Sequence, residues 1–184
     1  TLGSPSQWYL ARIVTPTLTL AGATSPGIPA MILGHNGRIA WGFTTTNADQ
    51  FDLFLERSDP TDASRYLTPD GSQPFTSRRE VIKVRGEADA VITVRSTRHG
   101  PVLSDALRGL SEAIPAGHAL ALSSPAAYRT DTTAEAMFRL NRAATWTGFV
   151  EALRAWHAPM QNAVYADSEG HIGFIAPALL PRRK

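Results

Sequence analysis

The side chains able to do chemistry are few, and their spacing is the first thing to weigh. Thr1 places a hydroxyl and an α-amino group on one residue, and a terminal threonine can act as a nucleophile with that amine as its base. Ser4 lies in Gly3-Ser4-Pro5 and lacks the Gly-x-Ser-x-Gly elbow of an α/β-hydrolase. There are five histidines. Of these, His118, His157 and His171 show no metal-ligand spacing. The chain has no cysteine, which excludes a disulfide framework and a thiolate metal site. Asn162, taken alone, reads as a turn residue or strand cap. Trp41 reads as a core aromatic whose indole N–H needs one partner.

These residues must be carried by elements, and the first half of the chain reads as β. The segments 8–14, 17–21, 30–33, 38–44 and 51–57 are short and rich in β-formers, separated by Pro16, Ser25-Pro26-Gly27 and His35-Asn36-Gly37. Asn36-Gly37 predicts a hairpin joining the Met31 strand to the Ile39 strand. Residues 59–77 are polar and turn-rich, and predict a surface excursion. Ile82 and Val84 alternate with Lys83 and Arg85, and Ile92 and Val94 with Thr93 and Arg95. That pattern predicts a half-exposed hairpin joined by residues 86–89. The third quarter reads as helical. Thr132 and Glu135 fit a capping box leading into Ala134, Met137, Phe138 and Leu140, and Phe149, Val150, Leu153 and Trp156 follow at amphipathic spacing. A last hairpin pairs residues 163–166 with 171–176 across a turn at 167–170. Strands, then two helices, then strands predict an α+β chain with helices layered on mostly antiparallel sheet.

Composition narrows the function classes. The 184 residues suit one domain, 1–184, and 43% are apolar. The net charge is +2, with 18 Lys and Arg against 16 Asp and Glu, and the charges are dispersed. Arg182, Arg183 and Lys184 are the nearest approach to a basic run, so no nucleic-acid partner is expected. No apolar run approaches the roughly 18 residues of a membrane span. No signal peptide opens the chain, and Thr1 without an initiator Met reads as the start of a processed or excised chain.

Four stretches, in order, carry a resemblance. They are Gly22-Ala23-Thr24-Ser25-Pro26-Gly27-Ile28-Pro29; Gly34-His35-Asn36-Gly37-Arg38-Ile39-Ala40-Trp41-Gly42-Phe43-Thr44 continuing to Asn47, Asp49 and Asp52-Leu53; Arg98-His99-Gly100-Pro101-Val102; and Gln161-Asn162-Ala163-Val164-Tyr165-Ala166-Asp167 with Gly170 and Ile172-Gly173-Phe174. Together they resemble the penicillin amidase family of N-terminal-nucleophile hydrolases. The resemblance implies part of a four-layer α-β-β-α fold. It also implies hydrolysis of a linear amide by a serine that opens the family's β chain, whose own α-amine is the base. That amine's intrinsic pKa, about 8, suits it to the task. The serine is expected upstream of this chain, so the chain alone is expected to be inactive. Thr1 matches a position downstream of the nucleophile, and its hydroxyl is discounted.

The resemblance also implies roles. The Thr45 backbone N–H and the Asn162 carboxamide match the family's oxyanion donors, which act by being aimed in advance where charge develops. The family usually has a smaller residue at Thr45. Arg183 matches an arginine near the substrate; its other reading is a solvated tail residue beside Arg182. Leu2, Leu33 and Phe43 match positions lining the acyl pocket, which is compatible with ordinary core packing. Asp49, Asp52 and the Phe51 carbonyl match part of a structural calcium site, with oxygen ligands suited to a hard cation; their other reading is loop acids capping local backbone. His35 and His99 lie in matched motifs but have no part in the family mechanism, and are expected to hydrogen-bond structurally. No other cofactor is implied.

The expected partners are a small N-acyl substrate with an apolar acyl group and the remainder of the acylase. Exposed sheet edges and apolar faces predict self-association of the isolated chain. Family members are commonly exported, so a periplasmic or secreted location is expected. The alternative function is a non-catalytic β-rich binding or scaffold module that kept the fold and lost the chemistry.

Overall fold

Ile39 and Trp41 are buried, while Ala40 between them is exposed. The same alternation returns in Ala163 and Tyr165 around exposed Val164. Period-two burial is what a strand shows when one face is covered. In the computed structural model, which describes residues 3, 6–107, 109–128 and 130–183, such strands build two compact units. Thr1–Gln50 with Arg129–Lys184 form the first, and Phe51–Tyr128 the second.

In chain order the elements are β1 (Tyr9–Val14), β2 (Thr19–Thr24), β3 (Leu33–His35) and β4 (Ile39–Thr45), then β5 (Asp52–Arg57), β6 (Arg65–Thr68), β7 (Gly71–Pro74), β8 (Thr76–Ile82), β9 (Ala90–Thr97) and β10 (Gly100–Pro101). They continue with α1 (Leu110–Ala113), β11 (His118–Ser123), α2 (Pro125–Tyr128), α3 (Thr133–Leu140), α4 (Trp146–Leu153), β12 (Gln161–Asp167) and β13 (Ile172–Ile175). The architecture is α+β, every described strand pair is antiparallel, and α3 and α4 are the packed helix pair.

The first unit is a six-stranded sheet, β1-β2-β3-β4-β12-β13, under α3 and α4. Its core joins Leu20, Met31, Ile39, Trp41, Ala163 and Tyr165 of the sheet side to Leu140, Phe149 and Leu153 of the helices. Trp146, Phe149 and Tyr165 form an aromatic triangle with ring centroids 5.1–5.6 Å apart. Gly173 lies under Trp146, where a Cβ would come within 2.4 Å of the indole.

Several expected boundaries move. The Met31 strand does not form. Met31 N–H donates to Asn141 Oδ1 at 2.8 Å and Asn141 Nδ2 donates to the Met31 carbonyl at 2.9 Å, so one buried side chain takes the place of a neighbouring strand. The hairpin therefore joins β3 at Leu33–His35 to β4. Its turn is held by Asn36, whose Oδ1 accepts from the N–H groups of Arg38 and Ile39. β2 runs past Ala21 through Gly22, which faces Gly34. A Cβ on Gly22 would stand 2.0 Å from the Leu33 carbonyl oxygen, so only glycine permits this strand approach.

The capping box is absent. Thr132 Oγ1 donates to the Ala155 carbonyl at 2.6 Å, Glu135 pairs with Arg139, and Asp131 Oδ1 accepts from Thr133 N–H at 2.9 Å. These hydrogen bonds from Thr133, its side chain first, hold the Asp131 carboxyl below its usual range.

In the second unit, residues 59–77 are more structured than their polarity predicts. β6 pairs with β7, Tyr66 and Phe75 are buried with rings 5.0 Å apart, and Tyr66 Oη accepts from Arg98 N–H at 2.8 Å. β8 runs Thr76–Ile82, so the hairpin with β9 starts earlier than the alternating segment indicates and ends before Lys83, Val84 and Arg85, which lie with residues 86–89 in the connection. β11 lies where the sequence reads as helical. Its Ala119, Ala121 and Ser123 are buried, and the strand pairs along β5. Leu-Ala alternation favours helix in isolation, and pairing with a half-buried strand overrides it.

Candidate functional site

Paired residues on an antiparallel ladder share a face. Thr45, Phe43, Trp41 and Ile39 of β4 face Gln161, Ala163, Tyr165 and Asp167 of β12, on the side covered by the helices. Thr44, Gly42 and Ala40 share the opposite face with Asn162, Val164 and Ala166. At the C-terminal end of β4 the helix-side core opens into a cavity of about 420 Å³. Its lining is largely apolar: Trp8, Ile28, Ile32, Leu33, Phe43, Met137, Trp156 and Pro159, with Thr44, Thr45, Thr133 and Gln161 at its polar margin. Trp156 packs on Phe43 at 5.0 Å, and the Trp41 indole N–H is satisfied by the Ile32 carbonyl at 2.9 Å.

Leu33, Phe43 and Thr45 thus share one cavity. Leu2 lies outside the described residues, as does Thr1. Asn162 is on the neighbouring strand but does not line the cavity; its side chain is on the sheet face away from the helices. It is opposite Thr44 in the ladder, and its Nδ2 donates to Thr44 Oγ1 at 3.3 Å. Thr45 is one step along β4 from Asn162's partner, so its side chain points to the opposite face of the sheet from that of Asn162. An amide Nδ2 carries two N–H groups, and Thr44 accepts one.

Arg183 is held against the loop that leaves β4. Its Nη2 lies 3.1 Å from Asp49 Oδ1 and 3.1 Å from the Asp49 carbonyl oxygen. Both side chains are solvent-exposed, so the pair contributes about 0–1 kcal/mol. Asp49 belongs to the first unit, Phe51 and Asp52 to the second. Calcium takes six to eight oxygens. The Asp49 carboxylate already faces a guanidinium, and among the described residues no three His, Cys, Asp or Glu side chains gather as ligands. A calcium shell would need further oxygens from outside Asp49, Phe51 and Asp52.

Sequence reasoning missed Trp8, Ile28, Ile32, Met137, Trp156 and Pro159 as cavity residues. Met137 and Trp156 did show in the amphipathic spacing, but that spacing does not separate a core position from a cavity wall. Trp156 lies beyond the end of α4, and its indole N–H donates to the Pro159 carbonyl at 2.7 Å. No local signal marks the segment 156–160 as a wall.

A larger cavity, about 490 Å³, sits at the far end of β12 and is lined by Trp146, Asp167, Glu169 and His171 among others. Burial pushes the Asp167 carboxyl up. The N–H groups of His171 and Glu169, the Tyr165 hydroxyl and the His171 ring outweigh it and bring the carboxyl down to about 2. Tyr165, buried and donating to Asp167 at 2.8 Å, is raised to about 12. This network closes the β12–β13 turn and offers no apolar acyl site. In the second unit, His99 Nδ1 lies 2.7 Å from Glu56 Oε1 and its ring stacks on Phe54 at 3.7 Å, a structural pairing.

The profile of the penicillin amidase family matches residues 1–184. An acyl-homoserine lactone acylase (QuiP) of Pseudomonas aeruginosa is 34% identical over 189 residues, covering 100% of this chain and 22% of that protein. A penicillin acylase 2 proenzyme of Pseudomonas sp. SE83 is 31% identical, over 97% of this chain and 22% of that protein. The chain therefore spans about a fifth of the length of these relatives. Among solved structures, thermostable penicillin G acylase from Alcaligenes faecalis superposes with a TM-score of 0.81 at 28% identity, over 98% of this chain and 31% of that one. With the motifs, the layered fold and the cavity in agreement, the chain belongs to the penicillin amidase family.

Proposed function

We propose that this chain supplies the acyl pocket and the oxyanion donors of an amidohydrolase that cleaves a linear N-acyl amide through a serine acyl-enzyme. The observation that carries this reading is the meeting of Thr45, Phe43 and Leu33 on one 420 Å³ apolar cavity; Asn162 follows Gln161, the residue paired with Thr45, on the neighbouring strand. Such a cavity suits an apolar acyl group, with a few polar residues in its lining to orient it.

In this scheme the serine belongs to sequence upstream of Thr1. Its Oγ attacks the amide carbon, and its α-amine takes the Oγ proton. The carbonyl oxygen becomes an oxyanion, accepting hydrogen bonds from the Thr45 N–H and Asn162 Nδ2. Collapse expels the amine, which leaves with the proton, and water then hydrolyses the acyl ester by the same route. Two donors aimed in advance stabilise the oxyanion more than the flat carbonyl, which is what accelerates the step. Arg183, paired with Asp49, would meet a polar part of the leaving amine. Penicillin side-chain amides, acyl-homoserine lactones and N-acyl amino acids are the substrate classes with an apolar acyl half. A periplasmic or secreted location goes with this reading.

Asn162→Ala in the full-length protein should lower kcat by about 10²–10³-fold, the usual loss of one oxyanion donor, with little change in melting temperature. A full-length protein that turns over neither penicillin G nor a long-chain acyl-homoserine lactone, while folded, would leave the non-catalytic module as the reading.

A further inference from the structure

Gln50 is 3% exposed, and its carboxamide is used in three directions. Nε2 donates to the carbonyls of His157 and Leu179, both at 3.1 Å. Oε1 accepts from the Met160 N–H at 2.6 Å. A carboxamide brings both donors and an acceptor on one planar group, and here both kinds of group are engaged away from solvent. The three partners belong to two separate stretches of chain. His157 and Met160 flank Pro159 in the cavity wall, and Met160 is two residues before Asn162. Leu179 is four residues before Arg183, and its N–H donates to the same His157 carbonyl at 2.9 Å. Gln50 itself follows Thr45 by five residues, through a turn in which Asn47 takes a positive φ of 55°.

We propose that Gln50 is a positioning residue for the site. It ties the segments carrying Thr45, Asn162 and Arg183 into one geometry, and it holds the Trp156–Pro159 wall of the cavity. The proposal rests on the acylase reading above. The physical case is that backbone hydrogen bonds of the sheet fix β12 only from Gln161 onward, whereas the irregular segment before it has no ladder. Buried backbone groups in such a segment need side-chain partners, and Gln50 meets two carbonyls and one N–H at once. An oxyanion donor displaced by even 1 Å loses much of its effect.

Full-length Gln50→Glu and Gln50→Met test this, assayed against whichever of penicillin G or N-decanoyl-homoserine lactone the wild type hydrolyses. Glutamate keeps the acceptor and, when ionised, loses both donors. The expected result for Gln50→Glu at pH 8 is a kcat at least tenfold lower with KM within threefold. Part of the loss should be recovered relative to wild type at pH 5, where the protonated carboxyl regains a donor. Gln50→Met should show the loss without the recovery. A kcat within twofold of wild type and an unchanged pH profile in Gln50→Glu overturn the proposal. If the wild type turns over neither substrate, it is the acylase reading that fails. Should the variants not accumulate, amide exchange in the wild-type protein decides. Met160 N–H is expected to be strongly protected, and exchange at the rate of an unstructured peptide overturns the clamp.

Discussion

The two units hold themselves together by different means. In the first, thirteen buried residues among those described join β2, β4 and β12 to two helices in one continuous apolar cluster. In the second, the apolar cluster has four members, Tyr66, Phe75, Val102 and Ala119, and much of the long β8–β9 hairpin is exposed. Polar pins supplement that smaller core. Asp59 is fixed by the Ser72 and Thr61 hydroxyls, Arg95 forms a two-pronged pair with Asp105, and Tyr66 caps the Arg98 N–H. A layered core tolerates a cavity at its end because the rest of the layer holds the walls. A strand-rich unit with a small core has no such reserve. The candidate acyl cavity opens wholly within the first unit's residues.

Removing bulk from the layered core should have the largest effect. Phe149 is fully buried between Trp146 and Tyr165, and Phe149→Ala should destabilise by about 3–5 kcal/mol, read from the shift of the urea midpoint. A smaller shift than that of Phe75→Ala would reverse the ranking of the two cores. Next come the polar pins. Asn141→Ala leaves the Met31 N–H and carbonyl buried without partners and should cost about 2–4 kcal/mol, against about 1–2 kcal/mol for Tyr66→Phe, which orphans one N–H. The same denaturation series compares them. If the second variant loses more, the second unit depends on its pins even more than its small core indicates.

The smallest effect is acid sensitivity, present in both units. Asp167 and Asp59 are each lowered to about 2 from 3.8, Asp59 by the Ser72 hydroxyl first and then by Thr61. A carboxyl with a depressed folded-state pKa contributes stability that is fully present above its unfolded value and is lost as pH falls toward 2. Melting temperature should therefore drop between about pH 4 and pH 2, and Asp167→Asn or Asp59→Asn should each flatten part of that drop. An unchanged slope in both variants would mean the turns are held by their backbone bonds alone.

Much of this was legible beforehand where one element could be read by itself. The Trp41 and Tyr165 strands, the Asn36-Gly37 hairpin, the amphipathic helix pair and the final hairpin all follow from period and turn chemistry. The misreadings share a cause. Thr132 and Glu135 have the right spacing for a capping box, but the Thr132 hydroxyl is turned to the Ala155 carbonyl and Glu135 pairs with Arg139. Met31 has the neighbours of a strand residue, but Asn141, 110 positions away, takes its backbone groups. Leu-Ala alternation in β11 has no strand signal until β5 lies beside it. The wall residues Trp8, Ile28 and Met137 come from three separate stretches that nothing local connects.

What the sequence determined alone is the set of short-range choices: which residues alternate, where glycine must turn the chain or let two strands approach, and which ordered motifs mark the penicillin amidase family. These depend on neighbours a few bonds away, so they survive in a string of letters. Only the tertiary structure decided that Thr44 stands opposite Asn162 and that Leu33, Phe43 and Trp156 enclose one space. It alone decided that the Gln50 carboxamide is spent on His157, Met160 and Leu179. Those are choices among partners more than a hundred residues apart, settled by burial and hydrogen-bond satisfaction summed over the whole layer, and no local preference encodes them.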